Sequence, residues 1–390
     1  MMNRNYIFFF ITVLVLVLSA CIKRFDPVIK SSDAVKFVVS GGVYKGDAVQ
    51  HINISTSSPV SEPRYFPVSG CTVKIIDGKG NSFSATDKLN GDYEVVIPES
   101  ELFTGATFKV DILVPGGVSI VSDFDQIYEC PEMGSLYYNL DSIPANNSYI
   151  VTRGIQFYTD LNAENTNSRY FKWDAIETWQ YQAAFPIEWW YDGTIHREVP
   201  PDLTRKICWK TQYVNNIFNL STKNLAVNRF NKFPLHFVDN VSSPRLVYGY
   251  SLLVRQYAIS EKAYDYSEKL RINSNDQGGL YEKQPLVVKG NLRNITHPEQ
   301  DVLGYFGAAS VKSKRIFIKK VEGLLDEYEP GCTLEGEEPR RTGVKGIPVT
   351  FYPAYLYAIP NSFIVVLLDK YCYDCTVVGG KTQKPSFWPE

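Results

Sequence analysis

Phe108, Val110, Ile112 and Val114 stand at every second position, and Pro115-Gly116-Gly117 closes the run. A period of two puts all four side chains on one face of a strand, whereas a helix would scatter them around its circumference. The same cadence recurs from 35 to 121. Residues 35–39, 52–54, 72–76 and 93–97 are short apolar segments, separated by a Ser- and Pro-rich loop at 55–67 and by the turns Asp77-Gly78-Lys79-Gly80 and Asn90-Gly91. Segments so short and so closely punctuated bury their apolar faces by packing sheet on sheet, which predicts an antiparallel β-sandwich of about seven strands over 35–125.

The remainder is also read as mostly β. Tyr (26) and Phe (22) are abundant while Met is only 3, and 22 Pro with 26 Gly imply many strands and turns. Residues 126–149, ending in Pro144-Ala145-Asn146-Asn147-Ser148, read as a linker. Residues 150–390 read as an aromatic-rich β domain, with strands expected at 155–158, 170–173, 178–181, 207–214, 235–238, 248–257, 286–288, 316–318, 349–352 and 363–367. One short helix is predicted near 261–272, with Ser260 as its N-cap, Ala263, Tyr266 and Leu270 toward a sheet, and Gly278-Gly279 beyond its end. The stretch 322–346 is the longest expected loop and holds Cys332.

The N-terminus carries an address. Arg4 precedes an apolar run from Tyr6 to Leu18, 13 residues long, and the small residues Ser19 and Ala20 precede Cys21. Spanning hydrocarbon as a helix takes roughly 20 residues, so residues 1–20 read as a signal peptide rather than a membrane anchor. Leu18-Ser19-Ala20-Cys21 resembles the bacterial lipobox. That resemblance implies cleavage before Cys21, acylation of its thiol and amine, and a lipid bilayer as the first partner, with 21–34 as the tether. No Asp follows Cys21, which by analogy with lipoprotein sorting implies the outer membrane. Lys23 and Arg24 stand where surface-export tags are acidic, so the cell surface is favoured only weakly over the periplasmic face.

Lys plus Arg total 40 against 42 Asp plus Glu, a balance that gives no reason to expect a nucleic-acid partner. Beyond Cys21 six cysteines remain, and in an oxidising exported compartment an even remainder suggests disulfides with the pairing left open. Cys130, Cys208, Cys332, Cys372 and Cys375 are the candidates. Cys372-Tyr373-Asp374-Cys375 has thioredoxin-like spacing, but the following Thr376 to Gly380 reads as a strand and a turn, which favours a structural bridge over redox chemistry or zinc.

No catalytic motif stands out, and no cofactor or metal is expected. His51, His196, His236 and His297 are far apart, and neither a Gly-x-Ser-x-Gly elbow nor a phosphate-binding glycine loop is present. A glycosidase, whose two carboxylates leave no local signature, stays open. The most suggestive group is Glu188-Trp189-Trp190-Tyr191. Adjacent aromatics beside carboxylates suit a ligand or partner surface, but on a strand Trp189 and Tyr191 share a face and Trp190 takes the other, so core packing competes with that reading. Asp141-Ser142-Ile143 matches the three-residue O-glycosylation motif of Bacteroidetes exported proteins, which makes Ser142 a candidate acceptor; a turn in which Asp141 and Ser142 bond locally explains it equally well.

Two resemblances gather these features. Val68-Ser69-Gly70-Cys71-Thr72-Val73, then Asp77-Gly78, then Gly91-Asp92-Tyr93 resemble the transthyretin-like sandwiches of carboxypeptidase regulatory domains. The mature chain resembles the Bacteroidetes lipoproteins carrying domain of unknown function 4249. The residues behind this are Phe25-Asp26-Pro27 after Cys21, Phe37 to Gly41, Val254 to Ser260 leading to Ala263-Tyr264, Gly278-Gly279-Leu280, Gly290 to Asn294, Leu303-Gly304-Tyr305-Phe306 and Lys314-Arg315-Ile316. The ending Cys372-Tyr373-Asp374-Cys375-Thr376 with Gly379-Gly380, Lys384-Pro385 and Phe387-Trp388 is the most specific piece. Family members carry a small residue where Cys71 stands, which implies that Cys71 lacks a pairing partner. The family's activity is unknown, and its genes tend to sit beside those of TonB-dependent outer-membrane receptors. The resemblance therefore implies a non-enzymatic accessory or ligand-binding partner of such a receptor. The alternatives are a surface hydrolase with its carboxylates near Trp189 and Trp190, and a purely adhesive or scaffolding lipoprotein.

Overall fold

The structure, a computed structural model, describes residues 35–59, 63–144, 151–275, 287–325, 328–332, 346–359, 361 and 365–390. The expected signal peptide, Cys21 and the tether lie outside the described residues, as do Gly278-Gly279. Among the described residues are four sheets and one α-helix, α1 (Glu261–Asn275), and no helix there is long and apolar enough to cross a membrane.

The largest sheet has ten strands. Its main path runs β16 (Ile207–Tyr213), β13 (Tyr170–Gln182), β19 (Tyr250–Ala258), β21 (Leu303–Ile318), β1 (Phe37–Lys45), β2 (Gln50–Thr56), β7 (Asp92–Val95), β6 (Thr86–Asp87), with β17 (Phe218–Ser221) beside β13 and β3 (Phe66–Pro67) beside β2. The second sheet is β20 (Leu292–Asn294), β9 (Val118–Ser122), β8 (Thr107–Val114), β4 (Thr72–Asp77), β5 (Ser82–Ser84), with β10 (Asp125–Gln126) on β8. The third is β11 (Leu136–Pro144), β12 (Val151–Asn162), β18 (Arg229–Asp239). The fourth is β15 (Ile195–Asp202), β14 (Ile187–Tyr191), β22 (Ala354–Ala358), β23 (Val365–Leu367).

The expected mostly-β, sandwich-like architecture is present. Phe108, Val110 and Ile112 on β8 are fully buried and pack with Val39, Ile52 and Ile54 of the large sheet into one core. Each such side chain contributes about 1.5–3 kcal/mol on leaving water. A second core forms where Trp173, Leu252 and Val254 of the large sheet meet Ile155 and Phe157 of the third. The opposite face of the large sheet carries Tyr257 and Ala309, and α1 lies over it through Ala263 and Tyr264. Ser260 begins that helix as expected, its hydroxyl accepting the Ala263 N–H at 3.1 Å.

Several expectations change. The boundary placed between the sandwich and the aromatic-rich part is crossed by two ladders: β1 pairs in parallel with β21, and β20 pairs with β9. Leu136–Pro144, read as part of a linker, is strand β11, paired with β12 along its length. It is an edge strand exposed on both faces from Asn139 to Pro144, so no buried row imposes a period of two on its sequence. Val349–Phe351, expected as a strand, is a 3-10 turn entered after Pro348, and the strand starts at Ala354 instead. Val287 and Val288 are in no strand, and 286 is outside the described residues. The segment from Thr376, expected as a strand and a turn, instead belongs to a 3-10 turn, Cys375–Val378, because Asp374 caps it by accepting the Thr376 N–H and Gly379 ends it at φ +83°.

The cysteines pair as Cys208–Cys375 and Cys332–Cys372, so the two ends of the Cys-x-x-Cys segment bond outward rather than to each other. Cys130, a disulfide candidate, is unpaired. It is buried in the second core, where its thiol donates to the Gln256 carbonyl at 3.4 Å and burial pushes its pKa up to about 11. Cys71 is likewise free and buried.

A candidate ligand cleft beneath α1

The parallel ladder between β1 and β21 forms the floor of a 610 Å³ cleft whose roof is α1. Alternation sorts the floor: Val39, Val43, Phe306 and Ala308 point into the sandwich core, while Val38, Ser40, Tyr44, Tyr305 and Ala309 line the cleft. Two glycines let the backbones approach. Gly304 has φ +103°, and a Cβ there would stand 1.8 Å from the Val39 carbonyl oxygen; a Cβ on Gly290 would stand 1.7 Å from that of Gly304. Beside them the Asn291 side chain imitates a strand neighbour, donating to the Phe306 carbonyl at 2.8 Å and accepting the Phe306 N–H at 3.0 Å. The roof comes from Ala263, Tyr266 and Leu270, the three residues the sequence turns toward a sheet.

The polar groups are few. Asp125 is 5% exposed, and its Oδ2 accepts the Ala308 N–H at 3.1 Å. Burial pushes this carboxyl above its usual range, while hydrogen bonds from Ser260 and Ala308 oppose the rise. Tyr305, stacked on Tyr266 at 5.2 Å, has its phenol raised strongly by burial and then by the Asp125 charge. Lys172 reaches in from β13 with its ammonium 3.0 Å from Asp174. Burial works to lower its pKa, but Asp174 and Tyr44 outweigh that and hold it charged. Tyr257, between Lys172 and Tyr44, meets the Tyr44 ring edge-on at 5.3 Å. A mostly apolar cleft of this size with a handful of convergent polar groups is what a small-molecule site requires.

The lining residues come from many separated segments, yet several are those on which the family resemblance rests: Val38, Ser40 and Gly41, Ile259 with Ala263, and Leu303-Gly304-Tyr305. The family described as Domain of unknown function (DUF4249) matches residues 22–315. The chain belongs to the DUF4249 family. No curated protein matches it. Every cleft-lining residue of this DUF4249 protein falls inside the matched range, whereas Cys332, Cys372, Cys375 and half of the fourth sheet lie beyond it.

The residues singled out in the sequence sit elsewhere. Glu188, Trp189, Trp190 and Tyr191 form β14, and none of them lines the cleft. Glu188 accepts from Arg197 at 2.9 Å, and the Arg197 guanidinium lies 4.8 Å over the Trp189 ring. Trp190 stacks on His196 at 3.8 Å and donates its indole N–H to Glu198 at 2.9 Å, while Tyr191 is buried against Tyr352. Trp189 and Tyr191 join one apolar cluster and Trp190 another, as their alternation on a strand implies. Ser142 is exposed on the edge strand β11, so the Asp141-Ser142-Ile143 segment is extended rather than a turn.

Sheet register also gathers His51, Asp92 and Glu94 within 4.8 Å of one another. Lys88 holds Glu94 at 2.9 Å, and all three are at least partly exposed, so the group is a solvated ion-pair cluster. Asp125, Lys172, Tyr257 and Tyr305, four of the polar residues of the cleft, were missed because each is an ordinary strand residue until the long-range ladders assemble. The glycine-rich motif segments were the available signal.

Proposed function

We propose that this protein is a lipid-anchored, non-enzymatic envelope protein that binds a small molecule in the cleft beneath α1 and serves as an accessory to a TonB-dependent outer-membrane receptor. The observation that supports the reading is the cleft: 610 Å³, lined by Tyr44, Tyr257, Tyr266 and Tyr305 with one buried carboxyl. Its aromatic walls offer large apolar area at little cost in side-chain entropy. The receptor partnership is what the family resemblance implies, and a lipid on Cys21 would hold the cleft near such a receptor at the membrane. Acyl chains contribute ~0.8 kcal/mol per buried methylene, so a multiply acylated anchor is effectively permanent.

Immunoprecipitation from outer membranes tests the partnership, with a TonB-dependent receptor as the expected co-purifying protein. Recovery without any receptor, or a Cys21→Ser protein that stays in the outer membrane, would overturn the reading. Protease treatment of intact cells, with lysed cells as control, then decides which membrane face carries the cleft. Digestion on intact cells is the outcome expected for capture on behalf of a receptor.

A further inference from the structure

We infer that the cleft takes an amphiphile whose head donates hydrogen bonds, an alcohol or an amine on an apolar body, and that it discriminates against carboxylates. The inference rests on the reading of the cleft as the ligand site. The parallel ladder gives the cleft a direction. At one end Val38 stands opposite Leu303, and Leu270 and Val287 complete an apolar lining. Six positions along, Tyr44 stands opposite Ala309, roughly 20 Å away at about 3.3 Å per strand residue. The charged groups gather at this second end: Asp125, bonded to the Ala308 N–H, and Lys172, whose Nζ lies 5.7 Å from the Tyr257 ring centre.

The chemistry of that end selects the head group. Asp125 already accepts from the Ala308 and Gln126 N–H groups and from Ser260, so of the carboxylate's about four lone-pair sites roughly one is left for a donor from the ligand. It is nearly inaccessible to bulk water, and a donor from the ligand returns hydrogen bonding that burial removes. A ligand carboxylate would meet the opposite situation. It would stand beside a like charge, and the one cation lining this end among the described residues is already held by Asp174 at 3.0 Å. The apolar end, the aromatic walls and the volume suit a chain or ring body rather than a sugar.

Calorimetric titration of the full chain carrying Cys21→Ser, which blocks acylation, with decanol, decylamine and decanoate near neutral pH tests this. The alcohol and the amine should bind about tenfold or more tightly than the carboxylate, the ratio that one hydrogen bond to a buried charge supports. Leu270→Trp should abolish binding of all three. In Asp125→Asn, which keeps an acceptor for the Ala308 N–H, the advantage of the amine should shrink to less than about threefold. Decanoate binding as tightly as the others, or an unchanged ordering in a folded Asp125→Asn protein, overturns the head-group assignment while leaving the cleft as a binding site. Failure of all three probes on the chain without cleft substitutions removes the ligand reading itself, and with it this inference; that comparison needs no cleft variant to fold.

Discussion

Gly304 lies directly opposite Val39 in the parallel ladder, and the space between them cannot hold a methyl group: a Cβ on Gly304 would come 1.8 Å from the Val39 carbonyl oxygen. Its φ of +103° is also one that side chains rarely adopt. Gly304→Ala should therefore cost about 3 kcal/mol or more, from strain and forced separation of β1 and β21. Gly116 provides the control. It too has positive φ, +95°, but nothing lies within 4 Å of its Cβ position, so Gly116→Ala should cost about 1–2 kcal/mol from backbone conformation alone. Urea midpoints of the two variants check the difference, and equal costs would remove the steric account of the ladder.

That contact also shows which parts of the fold a sequence discloses. Ser260, Ala263, Tyr266 and Leu270 were legible because capping and helical period are local, decided within a few turns of chain. The alternation of Phe108 to Val114 was legible for the same reason. The pairing of β1 with β21 was not, because a parallel ladder between distant segments has no connecting turn to announce it, and neither strand's composition names its neighbour. The candidate site inherits that limit. Asp125 and Lys172 acquire a role only when β10 and β13 are brought to the same cleft. Trp189 and Trp190 drew attention through composition, but their neighbours Arg197, His196 and Glu198 come from the facing strand of their own hairpin.

The C-terminal segment is held by two bridges to different parts of the chain. Cys375 reaches back 167 positions to Cys208 and Cys372 reaches back 40 to Cys332, with Asp374 between them accepting from Arg205 at 2.6 Å. Alkylation in denaturant without reductant should leave all four of these cysteines unlabelled while Cys71 and Cys130 react. Peptide mapping should recover the 208–375 and 332–372 links. A peptide joining Cys372 to Cys375 would contradict the arrangement. Replacing Cys208 and Cys375 together should destabilise the protein by about 2–5 kcal/mol, since the bridge closes a long loop in the unfolded chain.

Glu177 gives the fold an acid-labile point. Its carboxylate is 1% exposed and accepts from Tyr250 at 2.9 Å and Gln212 at 2.6 Å, with Arg245 and His236 each 3.3 Å away. Burial works to raise its pKa, but the neighbouring His236 ring and the charge of Arg245 outweigh it and bring the value from the ordinary 4.5 down to about 2. A carboxyl whose folded pKa lies below its unfolded one stabilises fully above the unfolded value and loses that contribution as pH falls through the folded value. The window is therefore about 4.5 down to 2, and the contribution lost there is about 3 kcal/mol at ~1.36 kcal/mol per pKa unit. Urea unfolding across that range should show stability falling with acid, and Glu177→Gln should flatten the slope while lowering stability near neutrality. An unchanged slope in Glu177→Gln would assign the acid lability to other carboxyls.

The β14 hairpin separates packing from recognition. Trp190 lies against Ile187, Tyr355 and Tyr373 in one apolar cluster and stacks on His196, so Trp190→Ala should cost about 2 kcal/mol and lower the thermal midpoint of the protein. Glu188 and Arg197 form a solvent-facing pair, with 37% and 54% of their side chains exposed, so Glu188→Ala should change stability by no more than about 0.5 kcal/mol. Neither substitution touches the cleft, so the affinity of a cleft probe such as decanol should be the same in both variants once folding is confirmed by circular dichroism. Lost probe binding in a folded Glu188→Ala protein would tie this hairpin to the ligand and move the site from α1 to the fourth sheet. Unchanged binding together with the expected stability difference would leave Trp190 as core and Glu188 as an ordinary surface charge.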